Sequence, residues 1–452
     1  MTVLAPDPMV HGGLAEFAAR FRRREITARS TAEIYLDRIA ALNPKLDAYI
    51  HVAGDSALEA ASGIDRLLAA GTDLGPLMGV PVAIKDLFAV TGMPTRAGSN
   101  LDLTDCIGPE GGFVKALKRA GCVILGKTRT IEFAAGGQNV IHPTPWNPSD
   151  LETKRTPGGS SHGSAVAMAA GLCGFAVGSD TGGSVRAPAA LCGVFGLKTT
   201  YGLWPLDGIF PLCPSMDTVG ILTRSAADAA LVYTALCGNR PSPLPSLSGV
   251  RLGLPDTYFF DDLDPEVASC SETALSLLEE EGARLVPVAF PEAEEIIEVF
   301  SGLVSANLLA TLGRDRFLAS RESIDPVAVN RLMTAFDLPA TEYIRLSRRR
   351  EYLARICGER LAGLDGLLCP TAPLLPRLVS ECSTTETASD FTARSLRNTR
   401  PANVCNQCAA SIPIHALGSR LPVALQVSMS PNREKRLLAM AMAIEERIGQ
   451  TA

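Results

Sequence analysis

A chain of 452 residues that is 46% hydrophobic and 20% charged has the composition of a globular protein, which excludes a disordered or fibrous one. Its 42 Lys and Arg against 48 Asp and Glu, a net charge of -6, leave no cationic excess for a phosphate backbone, so nucleic acid is not expected as a partner. Length alone points to roughly three domains, and the mixed stretch from Met1 to Gly13, with Asp7 and two prolines, lacks the regions of a secretory signal and predicts a cytoplasmic location.

The first clear helix is expected to open at Ser30, where Ser30-Thr31-Ala32-Glu33 reads as a capping box, and to stop at Asn43-Pro44. A second helical stretch, 57–70, leads into GPLMGVPVAIKD. This segment reads as a turn and a short buried strand closed by the charged pair Lys85 and Asp86. Residues 112–120 and then 122–126 repeat helix followed by strand. The Ala- and Gly-rich run from Ser164 to Gly178 falls short of the roughly 20 residues of a membrane span. It reads as a buried helix entering a strand at Phe175. The segment NRPSPLPSLSG, Asn239 to Gly249, is a linker or large surface loop. GVRLGLP, a helix through Glu266 to Gly282, and ARLVPV then resume the alternation. Residues 292–360 are predicted mainly helical, and a helix from Asn432 closes the chain with Leu437, Ala441, Ile444 and Ile448 on one face. Alternating helix and strand predicts an α/β sheet.

Twelve cysteines are scattered, often in apolar runs, and are expected to be reduced core thiols. Cys405 and Cys408 form the one local pair. A structural zinc needs four ligands, and no second Cys pair or suitably spaced His pair accompanies them, so no metal or cofactor is predicted.

Two Gly-Ser clusters carry the chemistry: TPGGSSHGS, Thr156 to Ser164, and GSDTGGSVRAPAALCG, Gly178 to Gly193. The second follows a strand and precedes a short helix. The backbone amides of Thr181, Gly182, Gly183 and Ser184 can therefore converge into an anion-binding nest, which suits a serine nucleophile and its tetrahedral oxyanion. A simple Gly-rich turn is the competing reading. The first cluster also contains Gly159-Ser160-Ser161-His162-Gly163, a G-x-S-x-G pattern that would make Ser161 the nucleophile, but the polar, proline-broken DLETKRTPGG before it does not read as the required strand. Histidine is a poor candidate for the base, since none of His11, His51, His142, His162 and His415 lies in a recognisable triad context. Lys85 is the other choice. Apolar neighbours would desolvate it and lower its pKa, while a strand-end lysine paired with Asp86 is the structural reading.

GPLMGVPVAIKD, GMPTRAGS, VILGKTRTIEF, TPGGSSHGSAVAMAAG, GSDTGGSVRAPAALCGVFGLK and LPVALQV, in this order, resemble the amidase signature family of hydrolases. The similarity runs from about Leu14 to Gly449 and is weakest between about 292 and 400. It implies one large α/β domain over 1–452, a mixed many-stranded sheet flanked by helices, with a more variable helical region at about 292–400. It also implies a catalytic set of Lys85, Ser160 and Ser184, with Ser184 as nucleophile, Ser160 as bridge after a cis peptide, and Lys85 as base. Asp180, Arg186 and Ser161 would support the loops, while Thr181, Gly182 and Gly183 would give oxyanion amides. The pocket wall would draw on Phe133 to Gln138, Gly136, Gly137 and Gln138 among them, and on Phe210 to Cys213. One departure is His162, where the family usually has glycine. The resemblance implies a stand-alone amidohydrolase for small-molecule amides, with carbamates and esters as further substrates, no membrane partner, and homodimerisation left open. The alternative is the glutaminase component of a tRNA-dependent amidotransferase, working within a complex. It fits less well because Ala187 follows Arg186 where that component tends to carry Gln, and because GIFPLCPSMDTVG looks more like free amidases.

Overall fold

Every side chain of Pro81–Lys85 is buried, because this strand has hydrogen-bonded neighbours on both edges and lies well inside an eleven-stranded mixed sheet. The structure, a computed structural model, describes residues 4–450. The strands are β1 (Tyr49–Val52), β2 (Pro81–Lys85), β3 (Val123–Thr128), β4 (Phe175–Asp180), β5 (Phe195–Lys198), β6 (Thr218–Thr223), β7 (Arg251–Pro255), β8 (Arg284–Val288), β9 (Gly366–Pro370), β10 (Cys408–Pro413) and β11 (Ala424–Met429). Their order across the sheet is β1-β3-β2-β4-β6-β5-β10-β11-β9-β7-β8. One sheet thus unites strands from Tyr49 to Met429, and the three domains suggested by length become a single large α/β domain. Strands β3, β2 and β4 run parallel to one another, as do β9, β7 and β8, while the strands between pair antiparallel.

The expected alternation appears along the chain with shifted boundaries. The first long helix runs Ala28–Leu46, capped by Thr27, whose side chain accepts from Ser30 N while the Ser30 side chain serves the Thr27 amide. The capping box therefore begins three residues before Ser30, and Glu33 forms an ion pair with Arg29. Nor does the helix stop at Asn43. Pro44 sits within the last turn, and the helix ends when Asp47 adopts φ 52 and donates its N–H to the Asn43 carbonyl. The helix read at 57–70 is Gly54–Ala69, and the strand read at 122–126 is β3, which extends through Lys127 and Thr128. Residues 239–249 form a loop without helix or strand. The final helix, Glu434–Gly449, buries Leu437, Ala441, Ile444 and Ile448 as its spacing predicts.

Between β8 and β9 lie helices Ile296–Leu312, Arg314–Ser320, Pro326–Met333 and Ala340–Arg360. The first of these, with the turn before it, is the one stretch among the described residues long and apolar enough to cross a membrane by length and composition. In this fold its Ile296, Val299, Phe300, Leu303, Val304, Leu308 and Leu312 are buried within the protein. Fully burying a Val, Leu, Ile or Phe side chain contributes about 1.5–3 kcal/mol, so this face binds the helix firmly against helix Ala340–Arg360 and the helical turn Arg400–Val404. That placement brings Phe300 onto the second Gly-Ser cluster.

Candidate active site

Because β2 and β4 are parallel neighbours, their carboxyl ends lie at the same edge of the sheet, where open α/β sheets place ligands. Lys85 closes β2, and Ser179 with Asp180 closes β4. Lys85 is fully buried. Its Nζ lies 2.7 Å from Ser160 Oγ and donates to Ser179 Oγ at 2.9 Å. Burial drives its pKa well below the ordinary lysine range, and the charges of Asp180 and Asp217 only partly oppose this. The strand-end pairing of Lys85 with Asp86 does not occur. Asp86 instead pairs with Lys127 Nζ at 2.9 Å, as expected when successive side chains leave a strand on opposite faces.

Ser160 follows a cis peptide bond from Gly159, and its carbonyl accepts from Ile131 N at 3.1 Å. The next residue binds the two Gly-Ser clusters together: Ser161 N donates to the Ser184 carbonyl at 3.0 Å, and Ser161 Oγ to the Ser179 carbonyl at 3.2 Å. Ser161 stands directly before helix His162–Ala169, but residues 156–160 ahead of it form no strand. The G-x-S-x-G elbow therefore lacks its structural context, and the Ser161 hydroxyl is occupied in bracing the loop. Gly159 is packed so closely that an added Cβ would stand 2.8 Å from the Gly137 carbonyl oxygen.

Asp180 organises the second cluster from inside. Its carboxylate accepts from Gly183 N at 2.9 Å and Val185 N at 3.1 Å, and from Arg186 Nη2 at 2.9 Å and Nε at 3.1 Å. Burial by itself would raise its pKa, but the charge and hydrogen bonds of Arg186, with Lys198 and Asn403, hold the carboxyl far below its usual range. Arg186 is itself fully buried and also reaches the Thr399 carbonyl, Gln426 Oε1 and Asn403 Oδ1. Removing one partner of such a pair strands the other charge without solvent, at a cost of about 3–5 kcal/mol. Arg186→Met is accordingly expected to lose that much stability in urea unfolding. A loss below about 1 kcal/mol would mean that the pair behaves like a solvated surface one.

Gly183 N, expected among the oxyanion amides, donates to Asp180 in this structure. The amides of Thr181, Gly182 and Ser184 have no protein partner among the described residues. Both glycines are required by close packing. A Cβ on Gly182 would lie 2.5 Å from the Phe300 ring, and one on Gly183, at φ 120, only 1.8 Å from Thr399 Oγ1. Ser184 itself is 4% exposed.

The remaining candidates occupy varied positions. Gly137 N donates to Thr392 Oγ1 at 3.1 Å, and Gly136 also packs on Thr392. Gln138 turns its amide nitrogen into its own loop, to the Asn139 carbonyl and Thr144 Oγ1. Phe133 stacks on Phe210 with centroids 5.7 Å apart. Phe210, Leu212, Leu87, Ser179, Thr181 and Asp217 line a cavity of about 310 Å³ at the carboxyl ends of the strands. His162 is fully buried, and chiefly this burial pushes its pKa down to about 3. Cys405 and Cys408 are buried free thiols at a helix end and in β10. Sequence reasoning missed Ser179, the second partner of Lys85, although it stands inside the quoted GSDTGGS. It also missed Asp217, which accepts from Thr181 Oγ1 at 2.6 Å and from the amides of Leu212 and Cys213. Phe300 and Thr399 had no local signal at all.

Residues 30–438 match the family model described as Amidase. A 2-amino-5-chloromuconic acid deaminase of Comamonas testosteroni is 40% identical over 97% of both chains. A glutamyl-tRNA(Gln) amidotransferase component of Geobacter metallireducens is 32% identical over 95% of this chain and 96% of its own. Among solved structures, the crystal structure of an amidase superposes with a TM-score of 0.87 at 30% identity, covering 96% of this chain and 99% of the other.

Proposed function

The chain belongs to the amidase family, and from that premise we propose that it is a stand-alone hydrolase of small-molecule amides that works through an acyl-enzyme on Ser184. The observation that carries this reading is the 2.7 Å approach of Lys85 Nζ to Ser160 Oγ inside a fully buried pocket. A buried lysine with a depressed pKa holds a neutral amine able to accept a proton. Ser184 attacks the carbonyl while its proton passes to Ser160 and the Ser160 proton passes to Lys85. The oxyanion is met by the free amides of Thr181 and Gly182. The proton then returns through Ser160 to the leaving amine, and water hydrolyses the ester on Ser184. Asp180, Arg186 and Ser161 hold the loops. No metal or cofactor enters this scheme, and no nucleic acid or membrane is required. The relative named for deaminating 2-amino-5-chloromuconic acid supports a small-molecule substrate.

The relay and the nest act on a planar carbonyl and its developing oxyanion, not on the atom beyond it, so carbamates and esters fall within reach. The test presents one acyl group to the purified chain as amide, anilide, carbamate and aryl ester, with glutamine alongside. Amide cleavage by the chain alone is expected, with anilide and aryl ester faster and carbamate between them, all abolished by Ser184→Ala. Cleavage of the ester alone would leave an esterase. Glutamine hydrolysis appearing only with partner proteins would favour the amidotransferase component.

A further inference from the structure

We propose that the substrate carries a carboxylate on its acyl portion, bound by Arg331 and Arg400 in a cavity beside the Ser184 loop; this rests on the reading of Ser184 as nucleophile. The cavity holds about 280 Å³, and Ser301, Ser305, Asn330 and Thr392 line it beside the two arginines. No acidic side chain is among its lining residues.

Two cations facing one cavity without a counter-ion is an unusual arrangement, because a buried charge is costly unless paired. Arg400 is 3% exposed. It donates Nη1 to the Ala393 carbonyl and Nη2 to the Thr392 carbonyl, its face lies 5.5 Å from the Phe300 ring, and its buried Nε has no partner among the described residues. Arg331 is half-buried and forms no ion pair or side-chain hydrogen bond among the described residues. Burial pushes its pKa down to about 10. For Arg400, burial and then the charge of Arg331 do the same, so the two guanidiniums sense each other with no anion between them. Other buried or half-buried arginines of this fold, by contrast, meet an Asp or Glu, as at Arg186, Arg224, Arg349 and Arg360.

The cavity adjoins the candidate active site through two walls. A Cβ on Gly182 would stand 3.5 Å from Arg400 Cγ, and Thr392, which lines the cavity, accepts the Gly137 amide. The proposal places the carbonyl of the acyl group at Gly182 and its distal anion at the pair on the other side of this wall. Guanidinium forks match a carboxylate bidentately and satisfy the unpartnered donors.

The test compares succinamate, glutaramate and adipamate with their methyl esters, using the full chain and Arg331→Gln. The wild type is expected to prefer at least one free acid over its ester. Arg331→Gln is expected to lower kcat/KM for that acid by about 30-fold, mainly through KM, as for a lost charge-assisted hydrogen bond, and to change the neutral ester less than about threefold. Arg331→Lys should restore part of the loss. Equal losses on acid and ester, or no preference in the wild type, would overturn the anion site while ester cleavage that requires Ser184 leaves the amidase reading intact. If neither series is cleaved, thermal shift with adipate and dimethyl adipate decides the site without catalysis. A rise with adipate alone that vanishes in Arg331→Gln supports it, and no rise overturns it.

Discussion

Ser184→Ala is expected to reduce kcat by on the order of 10⁵-fold, the scale seen when a covalent nucleophile is removed from a preorganised site. The variant should fold normally, because Ser184 contributes its carbonyl, not its hydroxyl, to the bracing of the two clusters. A serine-directed phosphonate should label the wild-type chain at Ser184 and leave Ser184→Ala unlabelled, with the adduct located by mass spectrometry. Ser161→Ala serves as the control: it loses one hydrogen bond to Ser179 but keeps its labelling site. An adduct on Ser161 with Ser184 unmodified would reverse the assignment.

Lys85→Ala should be the next most damaging change, costing on the order of 10³- to 10⁴-fold in kcat/KM as a general base is lost. The sign of the pH effect follows from its lowered pKa. The amine is neutral above that pKa and can accept the Ser160 proton. As pH falls through it, Lys85 gains a proton and activity is lost, giving an acid limb displaced far below that of an ordinary lysine. In Lys85→Ala this limb should disappear along with most of the rate. His162→Gly restores the residue usual in the family and leaves the 2.7 Å Lys85–Ser160 contact in place, so its effect should be far smaller. Matched pH–rate profiles of both variants, with circular dichroism to establish folding, check this. Near-normal activity of Lys85→Ala at neutral pH would make Lys85 structural.

Local chemistry made much of the site legible in the sequence. The two Gly-Ser clusters and the lysine closing an apolar strand are short-range patterns, and their spacing carried the resemblance that singled out Lys85, Ser160 and Ser184. The error in the first helix start was also local. The capping box slid by three residues because Thr27 and Ser30 compete as N-caps with Ser30 and Glu33, and only packing selects between them. Sequence shows that the Gly183 amide exists, and the structure adds that it points at Asp180. The competing pairing of Lys85 with Asp86, suggested by their adjacency, does not form, because the pleat sends them to opposite faces and Asp86 meets Lys127.

By itself the sequence determined the class of fold, the alternation of elements, and the residue types able to supply a nucleophile, a bridge and a base, since these depend on hydrophobic period and on motifs within a few residues. Only the tertiary structure decided how those groups meet. The parallel pairing of β2 with β4 sets Lys85 against Ser179 and Ser160, and burial there lowers the lysine pKa. Phe300, Thr399 and Arg400 reach the nest from more than 100 residues away. Such contacts follow from the sheet order and from the side chains each helix buries, and no local pattern in the chain encodes them.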